Sequence, residues 1–234
     1  MERIVVIAGS SSGIGKACAE WFETQGDTVW GFDRRNLPNA PWTTVVGDVS
    51  SRIHLTDFRT QLDTAHGHVD SLVYSVAMSN ETDLWDMTDS EWQDVLNINL
   101  VGMFRFAHAL VPLLKRSTTP SIVNVGSVAG QRSGKFSSAS YAASKAGVIA
   151  LSRSMARNLA DHGIRVNCVN PGFTDTPLIG HWNADRRAAA GREVPLGRIG
   201  KPEEVARVIA FLASPEASYV TGTQVDVNGG LHMI

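Results

Sequence analysis

The sequence predicts one doubly wound α/β domain, with about seven strands in a mostly parallel sheet and helices on both faces. Three observations lead there. Short β-branched apolar runs alternate with helical patterns along the whole chain, and no internal boundary interrupts them. The first run opens onto a glycine-rich turn and then a helix. The 234 residues, 43% hydrophobic and 19% charged, are enough to bury one large core without disorder.

Ile4 to Ala8 is the first strand. Gly9-Ser10-Ser11-Ser12-Gly13-Ile14-Gly15 follows, then a helical pattern from Lys16 to Gln25. Gly9 permits a tight turn, Gly13 lets a phosphate approach the backbone, and Gly15 allows close helix packing. The helix N-terminus then offers unpaired N–H groups and a partial positive charge to a pyrophosphate. The spacing is G-x-x-x-G-x-G, and by itself it also reads as a plain strand-to-helix turn.

Thr28 to Asp33 is the second strand, ending in an acid 18 residues after Gly15. A carboxylate there accepts hydrogen bonds from an adenosine ribose and repels a 2′-phosphate. Arg34 and Arg35 follow directly and are what a 2′-phosphate would want. The place of Asp33 at the strand end favours NAD over NADP. Leu37 to Trp42 is a loop with two prolines, and Thr43 to Val46 is the third strand. It ends in Gly47-Asp48-Val49, where Asp48 suits either an adenine amino group or the cap of the next helix. That helix runs from His54 to His66, with Leu55, Phe58 and Leu62 on one face.

Ser71 to Val76 is the fourth strand, followed by Ala77-Met78-Ser79. A long helix from Asp89 or Ser90 to about Leu114 encloses Asn97 and Asn99. Asparagine is a poor mid-helix residue because its side chain competes for the backbone. Asn97 reads as solvated, whereas a buried Asn99 requires a kink, a water site or a catalytic relay. Ser121 to Val125 is the fifth strand and leads to Gly126-Ser127, at the sheet end where open α/β sheets bind ligands.

A loop containing Gly130, Gly134 and several serines leads to Tyr141-Ala142-Ala143-Ser144-Lys145, inside a helical run from Ser140 to Ala156. Positions four apart share a helix face, so phenol and ammonium project side by side. A neighbouring cation favours the phenolate and moves the hydroxyl toward proton exchange near neutral pH. The spacing alone is common, and a half-buried tyrosine beside a solvated lysine is its other reading. Ile164 to Val169 is the sixth strand and runs into Asn170-Pro171-Gly172-Phe173-Thr174-Asp175-Thr176. Residues 176–200 form an excursion or lid. Pro202 to Leu212 is a short helix, and Gln224 to Val227 the seventh strand.

Several function classes are disfavoured. A net charge of -2 and a pI near 6.4 leave no electrostatic footprint for nucleic acid or an anionic membrane. Cys18 and Cys168 lack metal-type spacing and suit buried thiols in a reducing compartment. The seven histidines form no ligand pattern, so no metal is expected. Apolar runs fall short of the ~18 residues of a membrane span, and the amino terminus leaves no room for a signal peptide, which points to the cytoplasm.

With these residues assembled, the chain resembles the short-chain dehydrogenase/reductase family from Arg3 to Gly230. The turn Gly9 to Gly15, the pair Asp48-Val49, and Trp92 with Asn99-Leu100 and Gly102 carry the likeness. So do Ser127, Tyr141 and Lys145, then Asn170-Pro171-Gly172 with Thr176, and the stretches Leu196-Gly197-Arg198, Pro202 to Ala206 and Val220-Thr221-Gly222. The resemblance implies a Rossmann-type fold and hydride transfer between a nicotinamide and a secondary alcohol or ketone. It implies Tyr141 as general acid/base, Lys145 lowering its pKa and holding the nicotinamide ribose, Ser127 on the substrate oxygen, and Asn99 anchoring a water relay. It further implies cofactor contacts at Gly9, Ser11, Ser12, Gly13, Ile14, Asp33, Asp48, Val49, Ser75, Val76 and Ala77. Others fall at Tyr141, Lys145, Pro171, Gly172, Phe173, Thr174 and Thr176. A homotetramer is implied as well.

The chain departs from the family pattern in three places. Ala8 replaces a threonine before the first glycine, and Tyr74-Ser75-Val76-Ala77 replaces the usual Asn-Asn-Ala-Gly. The interval from Ser127 to Tyr141 is about one residue longer than common. The substrate pocket is expected from Met78-Ser79-Asn80, Val128 to Ser140 and Thr176 to Arg198, with Lys135, Phe136, His181, Trp182, Arg186 and Arg187. Its mixed polarity selects no substrate. The rival reading is a non-catalytic dinucleotide-binding sensor or regulatory protein on the same fold.

Overall fold

The computed structural model describes residues 3–132 and 136–234. Gly134 and Lys135, expected in the substrate loop, lie outside the described residues. Seven strands form one sheet in the order β3-β2-β1-β4-β5-β6-β7. They are β1 (Ile4–Ala8), β2 (Thr28–Asp33), β3 (Thr43–Val46), β4 (Ser71–Tyr74), β5 (Ser121–Val125), β6 (Arg165–Pro171) and β7 (Gln224–Val227). Every pairing is parallel, so the sheet is wholly rather than mostly parallel. The strand order reverses between β1 and β4, and this opens a crevice at their carboxyl ends.

The helices cover both faces. These are α1 (Gly13–Thr24), α2 (Arg52–His66), α3 (Asp89–Leu96), α4 (Gly102–Leu114), α5 (Ala139–Leu159), α6 (Ala184–Glu193) and α7 (Pro202–Ala213). Val5, Ile7, Val73, Val123 and Val169 point to one face and pack on Cys18 and Phe22 of α1 and Ile209 and Leu212 of α7. Val6, Ala8, Leu72, Tyr74 and Ile122 point to the other and meet α2, α4 and α5. A sheet covered on both sides leaves its central strands no solvent-facing position, and β1 and β5 are buried throughout. Phe32, Phe58, Phe106 and Tyr74 join in tilted ring contacts of 4.9 to 6.0 Å on the second face.

Three departures from the expected elements bear on the site. β4 stops at Tyr74 instead of Val76: Ser75 N still donates to Ala8 O, and the chain then turns out of the sheet. β6 extends to Pro171 because Pro171 still pairs with Val227. The long helix from Asp89 to Leu114 is interrupted by a π-helical turn over Asn97–Val101, with Asn97 exposed and Asn99 fully buried. This 26-residue helix has the length and mean hydropathy, 1.3, to cross a membrane. Its apolar residues Val95, Met103, Phe106, Leu110, Leu113 and Leu114 are instead buried within the domain.

Residues 176–200 carry a 3-10 turn (Pro177–Ile179) and α6. Their stem is pinned where Gly200 N donates to Phe173 O at 2.8 Å and Asp175 N to Gly200 O at 2.9 Å.

Candidate active site

The glycine turn connects β1 to α1 at the crevice. A Cβ on Gly15 would lie 2.1 Å from the carbonyl oxygen of Gly9, so nothing larger than glycine fits there. Gly13 has φ +56°, and a Cβ on it would lie 3.2 Å from the Thr176 side chain. The start of α1 receives no side-chain cap from Ser12 and has no acid in its first turn. Ser11 Oγ is buried without a hydrogen-bond partner. Uncapped N–H groups, an orphaned hydroxyl and a cradle closed by Thr176 fit a dinucleotide's pyrophosphate.

Asp33 at the end of β2 accepts from the N–H of Ser11 at 3.1 Å and of Arg35 at 3.0 Å. The Arg35 guanidinium donates to Ser12 Oγ at 3.0 Å. Asp33 is thus tied to the glycine turn, with one arginine folded beside it. Asp48 accepts from both the N–H and the hydroxyl of Ser50 at 2.7 Å, which helps hold its carboxyl below the ordinary range. The N-cap of α2 is Ser51, so Asp48 is not that cap. Val49 beside it is buried. Ser75, Val76 and Ala77 leave β4 at the crevice floor, where a Cβ on Gly9 would lie 3.0 Å from the Ser75 backbone.

Ser127, at the end of β5, caps the 3-10 turn Val128–Gly130 by accepting from Ala129 N at 3.1 Å. Its hydroxyl also faces the Tyr141 phenol, where it favours the phenolate. Lys145 is fully buried and donates to the carbonyl of Val125 at 2.7 Å, with Nζ 5.7 Å from the centre of the Tyr141 ring. Burial brings the Lys145 pKa down from 10.5 to about 8. Tyr141 is half-buried as a residue, and desolvation of its hydroxyl end pushes its pKa up, with the Ser127 bond opposing. The lysine-driven lowering expected from the spacing is therefore not in force here. The ammonium is turned toward Val125, and burial outweighs it.

Asn99 is occupied on three sides. Its Oδ1 accepts from Met78 N at 2.7 Å, and its Nδ2 donates to Met78 O at 2.8 Å and Ser144 Oγ at 2.9 Å. Both carboxamide donors are spent, so the side chain braces the site, and a water would have to find another group of this turn. Ser144 in turn donates to the carbonyl of Tyr141 at 2.7 Å.

The loop after β6 closes the other wall. Asn170 is fully buried and donates to Asp226 at 2.9 Å, and Gly172 N donates to Val227 O at 3.0 Å. Phe173 meets Phe136 and Trp182 at ring distances of 5.3 and 5.8 Å, and Arg186 stacks 4.5 Å over Trp182. Thr174 Oγ1 donates to the carbonyl of Gly172 at 3.2 Å. The predicted site residues thus gather on one sheet edge: the glycine turn with Asp33 and Thr176 at one end, and Ser127, Tyr141, Lys145 and Asn99 at the other.

Sequence reasoning missed five contributors. Gln131 Nε2 donates to Asp226 at 2.9 Å, so that carboxylate links the loop after Ser127 to the loop after β6. Ser144 and Tyr74 support Asn99. Glu81 ties the 176–200 segment down, accepting from His181 at 2.9 Å and Arg186 at 2.5 Å. Only Ser144 carried a local signal, since it lies inside the Tyr141–Lys145 interval. Among the described residues, no group of three or more His, Cys, Asp or Glu could hold a metal ion.

Fold and crevice together define the class: an oxidoreductase that works with a nicotinamide dinucleotide, NAD or NADP. The chain belongs to the short-chain dehydrogenase/reductase family. A family model described as enoyl-(acyl carrier protein) reductase matches residues 8–232. The chain is 37% identical to a 3-oxoacyl-[acyl-carrier-protein] reductase of Vibrio harveyi, over 99% of this chain and 98% of that protein. It is 38% identical to the reductase of the same name from Thermotoga maritima, over 98% and 97%. Among solved structures, ligand-free aldohexose dehydrogenase of Thermoplasma acidophilum superposes with a TM-score of 0.92 at 32% identity, over 98% of this chain and 94% of that one. A short-chain dehydrogenase/reductase from Brucella melitensis titled glucose/ribitol dehydrogenase gives 0.92 at 34% identity over the whole of both chains. These likenesses lend the non-catalytic rival no support.

Proposed function

We propose that the protein interconverts a secondary alcohol and a ketone, with NAD as the preferred hydride carrier. The observation that carries this is Ser127 facing the Tyr141 phenol beside a buried lysine, at the carboxyl end of β5. When bound, the nicotinamide supplies or receives the hydride. Gly9, Ser11, Ser12, Gly13 and Ile14 would hold its pyrophosphate, and Asp33 its adenosine ribose. Asp48 and Val49 lie where an adenine would rest. Ser75, Val76 and Ala77 would line its floor, and Pro171 to Thr174 with Thr176 its nicotinamide side. Ser127 donates to the substrate oxygen and stabilises charge that develops there. Tyr141 gives a proton to that oxygen in reduction and takes it in oxidation. Lys145 would hold the nicotinamide ribose, and Asn99 ties the segment after β4 to α5 at the spacing this needs.

Two features support NAD. Asp33 presents its carboxylate at the strand end, and Arg35 is engaged with Ser12 rather than free for a 2′-phosphate. On substrate, the relatives' names point to 3-oxoacyl groups, which carry a ketone, and to aldohexoses, whose ring hemiacetal also offers a CH–OH carbon. Residues 176–200 act as the lid over that pocket. Assembly as a homotetramer fits the exposed Phe104, Phe211, Tyr219 and Met233, and a cytoplasmic setting fits the free Cys18 and Cys168.

The test is a panel of 3-oxoacyl thioesters, aldoses and cyclic alcohols, followed at the absorbance of reduced nicotinamide with NAD and NADP in parallel. Tyr141→Phe should lower kcat by about a thousandfold or more while cofactor affinity stays within about threefold. Turnover retained in that variant overturns the assignment.

A further inference from the structure

We propose that Tyr74 is a positioning residue of the active site: its hydroxyl fixes the π-helical turn that presents Asn99. Tyr74 is the last residue of β4 and is 1% exposed, its ring packed 6.0 Å from that of Phe106. Burial pushes its phenol well above the ordinary range, so it is a donor at any working pH. A buried hydroxyl needs an acceptor, and the one it reaches is the main-chain carbonyl of Ile98, at 2.7 Å.

Ile98 lies inside the π-helical turn Asn97–Val101, immediately before Asn99. Such turns are rare, because widening the helix sacrifices regular pairing, and they persist where something outside the helix holds them. Here β4 and the residues after it grip the turn twice: Tyr74 through Ile98 O, and Met78 through both ends of the Asn99 carboxamide. The residue that ends the turn is cut to fit. A Cβ on Gly102 would lie 2.9 Å from the Tyr74 hydroxyl oxygen and 2.9 Å from Val49 Cγ2, so a larger residue there would displace the phenol. From Asn99 the contact continues through Ser144 to the backbone of Tyr141. A ring needed only for packing would be as well served by phenylalanine; the hydroxyl is what reaches the turn.

The link to turnover rests on the working group proposed above, but the hydroxyl's hold on the turn does not. Tyr74→Phe removes that one atom. The Met78 amide, which donates to Asn99 Oδ1, reports the turn by hydrogen exchange and needs no substrate. Its exchange should speed up about tenfold in Tyr74→Phe while the amides of Val5 and Val123, in the sheet centre, stay within about twofold. Phe106→Leu, which disturbs the same ring cluster without touching Ile98, should leave Met78 slow relative to those two. With a substrate from the panel, kcat should fall about tenfold at a KM within about twofold, and Tyr74→Phe should add nothing in an Asn99→Ala background. Unchanged Met78 exchange, or acceleration that Val5 and Val123 share, overturns the inference, as does full additivity with Asn99→Ala. Because the exchange arm stands alone, failure of the hydride-transfer reading leaves it intact and distinguishable.

Discussion

Replacing Lys145 with methionine should leave the protein inactive and more stable at neutral pH. Lys145 is fully buried, and burial moves its pKa from 10.5 to about 8. At ~1.4 kcal/mol per pH unit, holding this ammonium in the fold costs roughly 3 kcal/mol. The ammonium donates to Val125 O at 2.7 Å. Methionine leaves the carbonyl without its donor, a penalty of about 1–2 kcal/mol, so the net gain near pH 7 is on the order of 1–2 kcal/mol. The pH dependence is the firmer reading. The folded pKa is depressed, so between about 8 and 10.5 the unfolded chain binds the extra proton and stability rises with pH. Between about pH 7 and pH 9.5 the wild type should recover roughly 2 kcal/mol of the burial penalty, and Lys145→Met none of it. Urea midpoints of both proteins, measured at fixed concentration across that range, give the difference directly, and titrations common to both cancel. A stability gap between them that does not narrow with pH refutes the reasoning.

Two further outcomes follow from the cofactor end of the crevice. Asp33→Asn keeps one acceptor oxygen for Ser11 or Arg35, not both, and removes the charge that repels a 2′-phosphate, so the ratio of NAD to NADP affinities should fall about tenfold, as measured by nicotinamide fluorescence. Gly15→Ala puts a methyl 2.1 Å from Gly9 O; the turn must open, at a cost of about 1–3 kcal/mol in unfolding free energy and with loss of measurable NAD binding in the same titration.

What could be read from the chain was what is written locally. The alternation of apolar runs with helical faces gave every strand and the parallel sheet. The interval from Tyr141 to Lys145 gave the pair because a helix fixes that geometry. The lysine's target was not legible, since its long side chain chooses between the phenol and the Val125 carbonyl by tertiary contact. Nor were the bonds from Gln131 and Asn170 to Asp226, across 95 and 56 positions. Asn99 stood out as an awkward mid-helix residue, and the reason is the π-helical turn, whose partners Tyr74 and Met78 come from a different element. β4 was read two residues too long because Ser75 and Val76 have the composition of a strand, while their place at the crevice requires them to leave it.

The departures from the family pattern are intelligible once the acceptors are identified. Lys145 binds the carbonyl of Val125, Asn99 binds both backbone groups of Met78, Tyr74 binds the carbonyl of Ile98, and Ser144 that of Tyr141. In each case a side chain of the working group, or a residue bracing it, is held by main chain. The main chain in turn is fixed by the sheet: Ser75 N donates to Ala8 O, and Gly126 N to Val169 O. A site referenced to strand backbone is insensitive to which side chains those strand ends carry, so long as the path of the chain is kept. Ser75-Val76-Ala77 can therefore stand where Asn-Ala-Gly is usual, because Asn99 asks only for the Met78 amide. The exception is the position where the side chain itself reaches across to the turn, and there the chain has a tyrosine, with the glycine of Gly102 facing it.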